Sequence, residues 1–542
     1  MPGSPKESAQ ELEETAAAEG RVLQKIGRVG PGRAERSSYW LTRFLILRLL
    51  GLVYLVAFLV AAQQAVPLLG ENGLLPADRY LERVAAGAGG QWDGFLRLPG
   101  LFWLHFSDAF MAGTAWVGVG LSLAVLLGFA NGILLLILWF LYMSFDHVGQ
   151  TWYGFGWEIQ LLETGLLAVF LVPFLDGRPF PRRPPPVAVL WMYRWLIFRI
   201  MVGAGLIKIR GDACWRNLTC LDYHYETQPI PNPLSRAFHF LPRWCQRGGV
   251  LFNHLVELGA PWLEFGPRIA RHAAGVLFVA FQATLILSGN LSYLNRLTII
   301  PAGACVVDRL LRRVLARRLA ERAVRAARVA RPCRALGAAV GVLAVVVGAL
   351  SLYPVRNLLS QRQMMNTSFD RLHLVNTYGA FGSVGEERPE IVFEGTADET
   401  ITEATEWRAY EFKCKPGDPM RRPCWISPYH YRLDWLIWFA AMSNPNQYPW
   451  TVHLVWKLLR NDPGTLGLLA NDPFPDAPPR FIRAQLYRYE FAPPGNPEGA
   501  WWKRALLGPW LPPLSRDDPR LIRFLEAHRW DTSRDGPAPP AP

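Results

Sequence analysis

The chain has 542 residues, 51% of them apolar, and carries 57 Lys+Arg against 44 Asp+Glu for a net charge of +13. Its mean hydropathy is +0.11 and it holds apolar runs long enough to cross a bilayer, which excludes an ordinary soluble enzyme and gives a multi-pass membrane protein. In a soluble chain the basic excess would suggest nucleic acid; here arginines gather beside apolar runs, so topology and anionic lipid account for it and no nucleic-acid partner is expected.

Residues 1–38 lack apolar periodicity and signal-peptide order, and read as a disordered cytosolic tail. Residues 39–352 form a polytopic domain of about seven spans. The first, 41–62, follows Arg21, Lys25, Arg28, Arg33 and Arg36, which places the N-terminus in the cytosol. After an outside loop, 63–110, the run 111–145 is broken only at Asn131-Gly132 and folds as a hairpin of two spans. The fourth span, 157–175, contains Glu158 and Glu163, and the fifth, 187–209, contains Arg194, Arg199 and Lys208.

A second outside loop covers 210–271, and 273–289 returns through the bilayer. The following NLSYLNRLTIIPAGACVV reads as re-entrant or interfacial. Ten arginines between Arg309 and Arg334 mark 308–334 as a basic cytosolic segment suited to anionic lipid. The last span is 335–352. On this topology Asn290 faces the cytosol, whereas the sequon at Asn217 is outside and available for glycosylation in a eukaryotic lumen.

Residues 353–530 read as an extracytoplasmic α+β domain, rich in β-strand. EIVFEG, WRAYEFKC and FIRAQLYRYEFA are strand-like, while YRLDWLIWFAAM and TVHLVWKLL have helical spacing. Residues 531–542 form a Pro/Ala tail. The fold class is therefore a multi-pass α-helical membrane domain followed by a soluble α+β C-terminal domain.

Two local cysteine pairs, Cys214 with Cys220 and Cys414 with Cys424, fit short disulfide loops outside the cytosol. Cys245, Cys305 and Cys333 lack zinc-ligand spacing. Buried charges are expensive unless paired, so Glu158, Glu163, Arg194, Arg199 and Lys208 are expected to pair across the fourth and fifth spans. His224, between two tyrosines in DYHYETQPIPNP, could act with a carboxylate, but the stretch also suits an ordered aromatic loop. Trp435, Trp438, Phe439, Trp501 and Trp502 are client-binding candidates if they are exposed, and domain core if not. No P-loop, nucleophile elbow, HExxH pair or dinucleotide fingerprint is present, so no cofactor or metal set is expected.

GAGLIKIRGDACWRNLTC, YHYETQPIPNPLS, SGNLSYLN, VNTYGAFGSVGEERPEIVFEGT, EFKCKPGDPMRRPCWISPYHYRLDW and NDPFPDAPPR with LYRYEF closely resemble the lipase maturation factors, nearest to the first of two vertebrate paralogues. The resemblance covers about 40–513. It implies an endoplasmic-reticulum membrane protein, not an enzyme, whose lumenal C-terminal domain helps secreted dimeric lipases such as lipoprotein lipase fold and assemble. The arginine-rich composition suits a GC-rich, bacterial source; that would place the chain in the cytoplasmic membrane.

A shorter likeness points to a rival. GAGLIKIRGDACW is similar to the segment of vitamin K-dependent carboxylases that carries their catalytic lysine. On that match Lys208 takes the lysine's place, with His224 or Glu163 beside it. A desolvated lysine can serve as a base.

Overall fold

A computed structural model describes residues 38–530 and 532; both predicted tails otherwise lie outside the described residues. The first helix, α1 (Trp40–Leu69), is 30 residues long, about 45 Å. Its N-terminal N–H groups find an unexpected acceptor in Asp308, whose carboxylate takes bonds from the amides of Trp40, Leu41 and Thr42 at 2.8, 2.9 and 3.2 Å. A negative group at a helix N-terminus satisfies orphan donors and the dipole together. It also ties the start of the basic segment to the start of the bundle.

Helices α2 (Asp108–Leu127) and α3 (Gly132–Val148) form the expected hairpin. Asn131 does more than break the run: its Oδ1 accepts from the Leu134 amide at 2.9 Å and caps α3. Helices α4 (Gly156–Val169) and α5 (Val187–Arg210) follow. Helix α6 (Arg243–His254) continues through a π-helical turn at Leu255–Gly259 into Ala260–Leu263. Next come α7 (Arg268–Ser288), α8 (Leu294–Ala302), the basic helix α9 (Arg317–Arg328) and α10 (Arg334–Leu350).

Among the described residues, five helices are long and apolar enough to cross a membrane by length and composition: 40–69, 108–127, 187–210, 268–288 and 334–359. Helices α3 and α4 have 17 and 14 residues and are packed among them. Two expectations need correction. The stretch 243–264, predicted as part of an outside loop, packs antiparallel along α5: Lys208 meets Glu257 near one end, Phe198 meets Trp262, and Trp191 stacks on Phe265 near the other. Its arginines, glycines and Glu257 dilute the apolar signal, so a hydropathy reading passes over it.

Asn290 is the second correction. Its Nδ2 donates to the Cys424 carbonyl at 2.9 Å, and its Oδ1 accepts from the Ile426 and Ser427 amides, both at 3.1 Å. It therefore lies on the C-terminal domain's side of the bundle, opposite to the expected face. Because 243–264 has already run the length of the bundle, α7 runs in the reverse direction to the one predicted.

The C-terminal domain has one antiparallel sheet in the order β2-β1-β3-β4, comprising β1 (Arg388–Thr396), β2 (Arg408–Tyr410), β3 (Phe481–Phe491) and β4 (Trp502–Ser515). Strand β1 pairs with β3 through Ile391↔Leu486, and β3 with β4 through Tyr489↔Arg504. The prolines of β4 conceal it in the sequence; they are tolerated because it is an edge strand. Helices α11 (Arg432–Ala441) and α12 (Trp450–Leu458) are almost wholly buried.

Candidate functional site

Residues from both domains interlock at one end of the bundle. Glu158 and Glu163 on α4 are 0% and 2% exposed, and each is neutralised by an arginine. Arg432 of α11 pairs with Glu158 at 2.8 Å, while its Nη1 also donates to the Trp152 carbonyl at 2.5 Å. Tyr142, Tyr293 and Trp157 donate to the same carboxylate. Glu163 pairs with Arg199 of α5 and accepts from the Asn376 amide at 3.0 Å and the Tyr378 hydroxyl at 2.8 Å. Burial of such charges is tolerable only with partners of this number and geometry.

The expected pairing across the fourth and fifth spans thus holds for Glu163 with Arg199. Glu158 is instead taken by the C-terminal domain. Arg194 caps the other end of the bundle, donating to the Ala304 carbonyl at 3.0 Å and the Tyr39 hydroxyl at 3.1 Å.

The glycines of GAGLIKIRG explain the next layer. A Cβ on Gly203 would collide with the Tyr378 carbonyl oxygen, and one on Gly211 with that of Gly382. Backbone therefore packs on backbone, and the YGAFG segment lies directly against α5. The loop YHYETQPIPNPLS is fixed from the other side: buried Arg388 donates to the carbonyls of Glu226 and Pro229 at 2.8 and 2.9 Å. Gln228 in turn bonds the Ser288 carbonyl at 2.8 Å at the end of α7.

Between these walls lies a cavity of about 460 Å³, mostly apolar, roofed by Trp435, Trp438 and Phe439 and bordered by Lys208, His224 and Glu257. Its size suits a lipid chain or a comparable amphipathic molecule. Lys208 donates to Glu257 at 2.6 Å and Asn253 at 2.9 Å and stands 4.9 Å over the Trp215 ring. Glu257 sits on the π-helical turn, an irregularity common at functional sites. Lys208 is thus taken up in a buried pair with Glu257 at the edge of the cavity.

His224 is buried, with its Nδ1 unpartnered among the described residues. Burial, with Lys208 nearby, pushes its imidazole down to about 4, so it is neutral at ordinary pH. Glu163 does not join Lys208 and His224 in the cavity.

None of the five aromatic client candidates is a fully exposed side chain: Trp435 and Trp502 are buried, and Trp438, Phe439 and Trp501 are half-buried. Trp435 is 4% and Trp502 2% exposed; Trp435 packs edge-on to Trp157 at 5.1 Å, and Trp438 donates to the Thr227 carbonyl at 3.0 Å. Phe439 stacks on Phe155. Trp501 is partly exposed and lies under Arg236 and Arg422. Helical amphipathicity alone does not distinguish a protein-binding stripe from one buried against a membrane domain.

Cys214–Cys220 and Cys414–Cys424 are disulfide-bonded, with Cα separations of 4.8 and 5.6 Å. The second loop is pinned to α11 by Asp434, which accepts from the Cys414 and Lys415 amides at 2.5 and 3.0 Å. Burial pushes that carboxyl up to about 6. Asn217 is exposed.

Family models match at both halves of this assembly: a lipase maturation factor transmembrane domain over residues 41–313 and a lipase maturation factor C-terminal domain over 374–512. Lipase maturation factor 1 of Bos taurus is 48% identical over 543 residues, covering 95% of each chain. The chain belongs to the lipase maturation factor family. The Homo sapiens factor 1 is 47% identical, with 90% of each chain covered. Lipase maturation factor 2 of Xenopus laevis is 29% identical, covering 88% of this chain and 82% of its own. No solved structure matches the chain. Both family domains contribute to the junction, the first through Glu158, Glu163 and Lys208 and the second through Asn376, Tyr378, Arg388 and Arg432.

Proposed function

We propose that this chain is a membrane-anchored, chaperone-like maturation factor that assists the folding and assembly of secreted dimeric lipases, lipoprotein lipase among them. Its near full-length identity to proteins named for lipase maturation carries the reading. It works from the endoplasmic-reticulum membrane, with the N-terminus cytosolic and the C-terminal domain lumenal, and catalyses no covalent step. The buried ion pairs at the junction support it, because they mount the C-terminal domain rigidly on its anchor.

Client contact falls to the exposed apolar side chains of that domain: Met420, Trp425, Leu506 and Leu507, which are 54%, 48%, 59% and 51% exposed. Leu506 and Leu507 lie on edge strand β4, where an incoming segment has both apolar surface and open backbone groups to meet. The test is secretion of active lipoprotein lipase from cells lacking their own maturation factor. The wild-type chain restores secretion, and Leu506→Asp with Trp425→Asp reduces it without lowering the factor's abundance. Secretion no higher than without the chain would sink the proposal.

The rival reading, a membrane enzyme using Lys208, draws on the shared placement of Lys208 and His224 at the cavity. A Lys208→Ala chain that inserts normally and supports full lipase secretion rules that chemistry out of lipase maturation.

A further inference from the structure

At the C-terminal end of α3, Asp146 and His147 meet His373 from the segment leading into β1. The ligand-capable atoms of the three residues all lie within 4.8 Å of one another. His147 Nε2 is 3.1 Å from His373 Nε2, and His373 Nε2 is 3.3 Å from Asp146 Oδ2. Zinc with nitrogen and carboxylate ligands at about 2.0–2.1 Å in a tetrahedron requires ligand-to-ligand edges of about 3.3 Å. Two of the three edges already have that length.

The tautomer of His147 is fixed for ligation. Its Nδ1 is 2.7 Å from the Pro99 carbonyl, which can only accept, so Nδ1 carries the proton and Nε2 presents its lone pair to the cluster. Metal-binding histidines are commonly oriented by such an outer hydrogen bond.

His373 is delivered by a purpose-built turn. Its backbone is left-handed, φ 53°, a conformation uncommon for residues other than glycine. Asp370 holds the turn by accepting from the Leu372 and Leu374 amides at 3.0 and 3.1 Å. On the far side, Asn376 donates to the His373 carbonyl at 2.9 Å while anchored on Glu163. Arg371, two residues earlier, donates to the Leu96 carbonyl at 2.9 Å, closing the turn over the loop that supplies Pro99.

The geometry points to a divalent transition-metal site of the zinc type, made by Asp146, His147 and His373, that clamps the end of the α2–α3 hairpin to the base of the C-terminal domain. Two imidazoles and one carboxylate suit zinc and its neighbours better than calcium or magnesium, which prefer all-oxygen shells. Three protein ligands leave the fourth position to water. His373 and Asp146 side chains are 18% and 7% exposed, so the site has access to solvent from the His373 side.

The test uses the full chain in mild detergent, stripped with a chelator and re-equilibrated with Zn²⁺ alone, then counted by inductively coupled plasma mass spectrometry after desalting. The wild-type chain is expected to retain one zinc, and His373→Gln and Asp146→Asn chains that elute like the wild type are expected to lose it. Zinc absent from the wild type, or retained in full by both variants, overturns the assignment. A second measurement needs no variant: Co²⁺ loaded into the wild-type chain should give the intense visible absorption of a four-coordinate N/O site. Only the weak spectrum of hydrated Co²⁺ would overturn the assignment.

Discussion

Arg432 bridges the two domains inside their buried junction, and replacing it with methionine isolates what its charge contributes. Methionine keeps much of the aliphatic stem over the Tyr153 ring, which the guanidinium now faces at 3.5 Å. It leaves Glu158 with hydroxyl and indole donors but no counter-charge. Breaking one partner of a buried pair costs about 3–5 kcal/mol. For a domain of this size each kcal/mol moves the unfolding midpoint by about 2–4 °C, so Arg432→Met should lower it by about 6–20 °C. The assay is tryptophan-fluorescence melting of the full chain in detergent, combined with limited trypsin digestion. The variant should open between the domains and be cut between residues 360 and 372. Adding Glu158→Gln removes the stranded charge and should restore part of the loss, since the pair is coupled. A midpoint within about 2 °C of wild type and an unchanged digest would refute the idea that this pair holds the domains together.

Three further outcomes follow from the same geometry. Gly203→Ala and Gly211→Ala each drive a methyl group into a backbone carbonyl and should cost about 1–3 kcal/mol; Gly248→Ala, inside α6 with open space around it, is the control and should be neutral or stabilise by up to about 1 kcal/mol. His224 protonates near its usual 6.5 when unfolded but only near about 4 when native. The unfolded chain therefore binds more protons between those values, and stability falls as pH is lowered through that window. At pH 5 this costs about 2 kcal/mol, so the midpoint advantage of wild type over His224→Gln should shrink between pH 8 and pH 5; a constant difference contradicts the burial argument. In a eukaryotic cell, Asn217 should carry a glycan, visible as an endoglycosidase-sensitive shift that becomes smaller in Asn217→Gln, with the exposed Asn366-Thr-Ser sequon on the same side supplying the remainder. Asn290→Gln should change nothing in that shift, because Asn290 is 1% exposed.

Much of the architecture could be read from residue order because long apolar runs and alternating strands are local signals. The hairpin break at Asn131-Gly132, the nearby cysteine pairs and the Glu163 to Arg199 pairing all depend on short stretches or adjacent spans. What escaped the sequence depends on long-range closure. Arg432 meets Glu158 across 274 positions, and Asp308 caps a helix that begins 268 residues earlier; no spacing rule connects them. The segment 243–264 was hidden by its own charges, of which Glu257 meets its partner Lys208 only once the segment packs on α5. The Asp146-His147 dipeptide ending an apolar helix was a usable hint, but His373, in a turn with no motif, supplies the third ligand.

The most direct measurement of the maturation role is co-purification of the intact chain in mild detergent from cells secreting a lipase, with mass spectrometry of both bound proteins and bound small molecules. A partly folded lipase should be retained by the wild-type chain and lost when Trp425 and Leu506 are changed to aspartate. A chain that holds no lipase but carries a stoichiometric small molecule, displaced by Lys208→Ala, would contradict that role and move the function to the cavity.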